Sequence, residues 1–126
     1  MSDKHEEWLK QADYDMGTAD VMFSSGRYFY AVFMCHLSIE KALKGLYSKG
    51  TEEAPPKIHN LLRLLEKTGR KPEQVLEKFI TKLNAASVAT RYPDDLAKIQ
   101  ADYTEDVTKE IITKSKEVLQ WVKTQF

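Results

Sequence analysis

Between Gly26 and Gly50 stands "RYFYAVFMCHLSIEKALKGLYSK", a run of 23 residues with no proline and a single glycine. Tyr28, Val32, Cys35, Ile39, Ala42 and Leu46 recur every three or four positions, so they fall on one helical stripe. Phe29, Phe33 and Leu37 fall on a second face. The spacing predicts a helix from about Tyr28 to Lys49, stopped by Gly50. A helix apolar on two sides needs cover on two sides. It belongs at the centre of a bundle or also against a second subunit.

The rest of the chain supplies that cover. A first helix is expected from about Asp3 to Ser24, with Trp8, Ala12, Met16, Ala19 and Phe23 as its stripe. Asp3 and Glu6 resemble a capping box, and Gly26 provides the left-handed stop. "TEEAPPKIH" is a loop, because Pro55 and Pro56 cannot continue a helix. A short helix is expected near Asn60 to Lys67, closed by Gly69. Pro72 opens a fourth, in which Val75, Leu76, Phe79, Leu83 and Ala86 run towards Val88. An irregular connection of about fifteen residues follows. The last helix is expected from about Tyr103 to Lys123, with Asp102 and Thr104 as candidate caps and Val107, Ile111, Val118 and Val122 towards the core. No strand alternation competes. The expected fold is all-α: a single domain over residues 1–126, an up-and-down bundle of four longer helices and one short one.

Charge and cysteine content narrow the function. With 19 Lys and Arg against 19 Asp and Glu, the whole molecule exerts no strong pull on nucleic acid. Residues 27–91 hold 12 basic against 6 acidic side chains, a weak hint of a basic face that solvated helix surfaces also explain. The one cysteine, Cys35, excludes an internal disulfide and a zinc site built on several thiolates, and it reads as a small buried hydrophobe. No run approaches the roughly 20 apolar residues that span a bilayer. The acidic, amphipathic start "MSDKHEEWLK" is no secretory signal, so a cytoplasmic location is expected.

Most catalytic patterns are missing. Three residues before His5, His36 and His59 stand Ser2, Phe33 and Pro56, so the Glu-x-x-His pairs of a di-iron bundle are absent. No metal site, cofactor or glycine-rich phosphate loop is expected. Cys35 and His36 are adjacent, but helical neighbours point about 100° apart and make no nucleophile–base pair. His36, Glu40 and Lys44, at i, i+4 and i+8 with Lys41 beside them, form one polar constellation. On spacing alone a surface ion pair of about 0.2–0.5 kcal/mol is the favoured reading. His59 reads as a local cap or core-edge histidine.

Three pieces, "IEKALKGLY", "PPKIHNLLRLL" and "RYPDD", in this order and spacing, make the chain resemble the HEPN family along essentially its whole length. The resemblance implies a small helical bundle that dimerises around a shared cleft. It implies work beside a minimal nucleotidyltransferase, in a toxin–antitoxin-like pair, and binding of a nucleotide or of RNA phosphate. Many members are metal-independent ribonucleases that use an Arg, four to six residues, then a His. Counted from Arg91, those positions hold Leu96, Ala97 and Lys98, and no histidine follows His59. The motif is therefore incomplete.

Arg91 is still more than a helix stop, since Pro93 alone would break the helix. It is assigned to a phosphate- or partner-facing cleft with Tyr92, Asp94, Glu40 and Lys44. The competing role is a bidentate pair with Asp94 or Asp95 that fixes the connection to the last helix. Three readings follow. The first is a dimeric binding module whose Tyr92 or Tyr103 accepts a nucleotidyl group. The second is a ribonuclease built on Arg91 with His36 or His59 as an unconventional base. The third is a non-catalytic interaction protein using Phe29, Tyr30 and Trp121 as contact aromatics.

Overall fold

The computed structural model describes residues 4–126. Among them are six helices and no strand: α1 (Lys4–Ser24), α2 (Tyr28–Thr51), α3 (Leu61–Thr68), α4 (Gln74–Arg91), α5 (Leu96–Asp102) and α6 (Glu105–Thr124). The expected cap at Asp3 lies outside the described residues.

α2 is the axis of the bundle. Ala31, Val32, Cys35, Ile39, Ala42 and Leu43 are fully buried on it. Each full burial of a Leu or Ile side chain contributes roughly 1.5–3 kcal/mol. α1 returns along α2 in antiparallel register: Phe23 meets Tyr28, and Ser38 Oγ donates to the Ala12 carbonyl at 2.7 Å. Further along, a Cβ added at Gly45 would lie 2.9 Å from Trp8 Cβ, so only glycine lets α1 approach this closely. Ion pairs Lys123–Asp13 and Lys116–Asp20 set α6 antiparallel to α1. α4 completes the up-and-down arrangement, and α3 closes one end over Leu61, Leu64 and Leu65.

The helix ends follow local chemistry. At the α1 end Gly26 takes φ +74°, with Gly26 N–H to Phe23 O and Arg27 N–H to Met22 O at 2.8 Å, a Schellman closure. Asn60, Asp95 and Thr104 each cap the helix that follows through a side-chain oxygen.

Several expectations need correction. Gly50 does not stop α2. Thr51 Oγ1 bonds the Tyr47 carbonyl, which carries the helix one residue further, and Glu52 makes the left-handed turn at φ 59°. Pro72 is a buried residue ahead of α4, which begins at Gln74 after Glu73. The connection expected to be irregular contains α5, seven residues nucleated by the Asp95 cap. Val75 (68% exposed) and Val107 (41%), each in the first turn of its helix, are exposed rather than in the core. Phe29 is buried rather than a contact aromatic, while Tyr30 is exposed and Trp121 half-buried.

Candidate functional site

The α2 constellation is the largest departure. His36, Glu40 and Lys44 are not on the surface: their exposures are 0%, 3% and 8%. Helical spacing puts them on one face, and that face is turned inward under the 55–60 loop and α4. Glu40 is the hub. Its Oε2 accepts from Lys44 Nζ at 3.0 Å and from His59 Nδ1 at 2.9 Å. Its Oε1 faces His36 Nδ1 at 3.8 Å, too far for a hydrogen bond. Lys44 completes its surroundings over the Trp8 ring, 5.9 Å from the centroid.

His59 reaches this hub from the loop before α3. It is not the cap of α3, which is Asn60. A carboxylate only accepts hydrogen bonds, so Glu40 holds the proton of His59 on Nδ1. The side chain of His59 is 62% exposed, which leaves Nε2 towards solvent.

His36 differs. It is fully buried, and among the described residues neither ring nitrogen makes a hydrogen bond of normal geometry; the Asn84 side chain is near enough only to favour its protonated form weakly. Burial pushes its pKa down to about 4; Glu40 works against that shift, while Arg91 and His59 add to it. His36 is therefore a neutral imidazole at neutral pH.

Arg91 closes the site from α4. Its guanidinium lies over the Phe33 ring at 5.1 Å, and its charge bears on His36. Among the described residues no ion pair joins Arg91 to Asp94 or Asp95; Asp95 instead caps α5. The bidentate loop-fixing role is thus not what Arg91 does. Asn84, seven residues before Arg91 and on the same face of α4, belongs to this site too. Its Oδ1 accepts the Leu61 N–H at 2.9 Å and ties α4 to the start of α3.

The structure thus gathers His36, His59 and Lys44 around Glu40, with Arg91 at the His36 end of the cluster. It leaves Tyr92 and Asp94 apart, in a cleft of about 460 Å³ between α4 and α5. Tyr92 is 77% exposed. Tyr103 is half-buried, and its phenol pKa is raised by burial and then by Asp102. Cys35 is enclosed, and burial pushes its thiol up to about 12. No group of His, Cys, Asp and Glu able to hold a metal ion occurs among the described residues. No described helix is long and apolar enough to cross a membrane.

In charge terms Glu40 neutralises the buried Lys44, and Arg91 is left as a cation without an ion pair among the described residues. Such a face suits an anion, with Arg91 as its planar donor.

Fold and site together define a six-helix bundle with a charged cluster set into its central helix. The HEPN domain profile matches residues 5–125, and the chain belongs to the HEPN family. A crystal structure of ST0689, an archaeal HEPN homologue, is 28% identical, covers 98% of both chains and superposes with a TM-score of 0.79. TT1696 from Thermus thermophilus has the same fold: TM-score 0.81 and 23% identity, over 99% of this chain and 100% of that one. No curated protein matches the chain.

Proposed function

We propose that this protein is the HEPN half of a two-component system with a minimal nucleotidyltransferase. It works as a homodimer, and it binds the phosphate of a nucleotide or RNA at the Arg91 face. One observation carries the reading: Arg91, in no ion pair among the described residues, lies over Phe33 and bears on His36, at the end of the cluster in which Glu40 holds Lys44 and His59. In a toxin–antitoxin-like pair, Tyr92 is the better nucleotidyl acceptor, since its hydroxyl is exposed where Tyr103 is half-buried. Mass spectrometry after co-expression with the partner tests that role, and an unmodified Tyr92 refutes it. Isothermal titration of the wild type and Arg91→Ala with AMP and with short RNA tests the binding. A heat of binding that Arg91→Ala removes supports the proposal, and no heat from the wild type contradicts it.

A second reading has its own observation. The Glu40–His59 pair presents His59 Nε2 outward as an acceptor, in the manner of an oriented general base. In a metal-independent ribonuclease, Nε2 would take the proton of a 2′-hydroxyl while Arg91 stabilises the pentacoordinate phosphate. Of the two histidines, His59 suits this role and fully buried His36 does not. RNA cleavage by purified protein, lost in His59→Ala, is the expected result. Intact RNA with the wild type, alone and with its partner, sinks the enzymatic reading.

A further inference from the structure

At the start of α2, the α1–α2 turn meets the junction of α5 and α6. The positive φ of Gly26 reverses the chain there, and the Thr104 cap starts α6 beside it. Between the two lies a cavity of about 550 Å³. Small-molecule sites span roughly 300–1,000 Å³. The walls are aromatic: Tyr28, Phe29 and Tyr30 come from the first turn of α2, and Tyr103 from the α5–α6 junction. Phe29 is buried and packs on Tyr30 with ring centroids 4.5 Å apart. Tyr30 (49% exposed) and Leu96 (60%) remain open to a guest. Walls of this kind take a flat ring, because aromatic pairs gain from offset or edge-on packing beyond the area they bury.

Two charges of opposite sign line the same cavity, Arg27 on the α2 side and Glu105 on the α6 side. Among the described residues neither forms an ion pair, with the other or with any third group. The fold does not employ Arg27: it stands at the N-cap of α2 without a side-chain cap bond, and the first turn of α2 holds no acidic residue. Glu105 suits the α6 dipole, but Thr104 Oγ1 already caps that helix by accepting from Val107 N–H at 3.3 Å. A purely anionic guest would meet Glu105, and a purely cationic one would meet Arg27. A guest carrying both charges beside a flat ring satisfies both groups at once.

We propose that this cavity binds a free aromatic amino acid, with its ring among Tyr28, Tyr30 and Tyr103, its carboxylate on Arg27 and its ammonium group at Glu105. The planar fork of a guanidinium suits a carboxylate, which it can hold through two parallel N–H donors. An aromatic residue inside a peptide has lost both charges, and one at a chain end keeps only one of them, so the free amino acid fits best. The site shares no residue with the cluster of His36, Glu40, Lys44, His59 and Arg91, and it stands apart from the function proposed above.

Two-dimensional NMR of the 15N-labelled full chain, titrated with L-tryptophan, tests this. Saturable shifts are expected at Tyr28, Gln100 and Tyr103, all of which line the cavity. Tryptophan amide lacks the carboxylate and N-acetyltryptophan lacks the ammonium group. Each should bind about tenfold more weakly, the loss of one charge-assisted contact. Glycine, with both charges and no ring, should give no saturable shift. Arg27→Ala should bind tryptophan and its amide alike, and Glu105→Gln should bind tryptophan and its N-acetyl form alike. The analogue series on the wild type decides the matter even if a variant fails to fold. No saturable shift with tryptophan, shifts away from the cavity, or equal binding of all three ring compounds overturns the proposal. AMP is titrated separately: tryptophan binding without AMP binding leaves the cavity assigned and refutes the Arg91 reading, and the converse refutes the cavity alone.

Discussion

Glu40 on the central helix and His59 in the loop before α3 are joined across 19 residues of sequence by a 2.9 Å hydrogen bond between Oε2 and Nδ1. The bond ties an exposed imidazole to a buried carboxylate. It fixes which nitrogen of His59 carries the proton, and it draws the loop onto α2. Lys44 shares the same oxygen at 3.0 Å, so Glu40 neutralises a buried cation while it orients a surface histidine.

Removing the carboxylate strands that cation. Glu40→Ala should cost about 3–5 kcal/mol, the typical penalty for leaving one partner of a buried pair alone. His59→Ala should cost about 1 kcal/mol or less, because water takes over at an exposed side chain. Urea denaturation of both variants checks the contrast. Equal losses would mean that Lys44 does not depend on Glu40.

His36 predicts a pH dependence. Its folded pKa of about 4 lies below the ordinary 6.5, so the unfolded chain binds the proton more readily. The stability from the neutral buried ring is therefore fully present above pH 6.5 and is lost as pH falls towards 4. The full loss is about 3 kcal/mol at 1.36 kcal/mol per unit. His36→Phe should flatten this part of the stability-against-pH curve. A variant that loses stability over the same window as steeply as the wild type would show that other groups cause it.

Gly45 predicts a packing limit. A methyl group there would meet Trp8 Cβ at 2.9 Å and the His5 carbonyl at 3.0 Å, and the latter is backbone with no rotamer to yield. Gly45→Ala gains helix propensity but forces α1 outward, with a net loss of about 1–3 kcal/mol. Thermal unfolding measures it. A raised midpoint would mean that α1 moves aside at little cost.

Cys35 should be inert in the folded protein, since burial raises its thiol pKa to about 12. Labelling with a thiol reagent at pH 8 should proceed at the rate of unfolding and accelerate in urea. Immediate labelling in native buffer would contradict the burial.

The main helices were legible because their signals are local and repeated. α2 carries its stripe over about five turns, and Gly26 and Gly69 stop α1 and α3 through positive φ. α5 was less legible: seven residues hold too few periods, although Asp95 ahead of "LAKI" is a cap signal. The site was half-readable. Spacing put His36, Glu40 and Lys44 on one face, but whether that face points to water depends on the loop and on α4, which only tertiary structure brings there. The seven-residue separation of Asn84 and Arg91 placed both on one side of α4, a signal present in the sequence and overlooked beside the apolar stripe. Nothing local announced the bond between His59 and Glu40, nor that Val75 and Val107 would face outward.

The central claim is that the Arg91 face holds a phosphate. The most direct measurement is a titration of the 15N-labelled protein with inorganic phosphate and then AMP, followed by two-dimensional NMR, for the wild type and Arg91→Ala. The account predicts saturable shifts confined to residues around Phe33, Glu40, His59 and Arg91, with affinity falling about 10- to 100-fold in Arg91→Ala, the worth of a charge-assisted contact. Shifts that avoid this face, or an affinity that Arg91→Ala leaves unchanged, would contradict it.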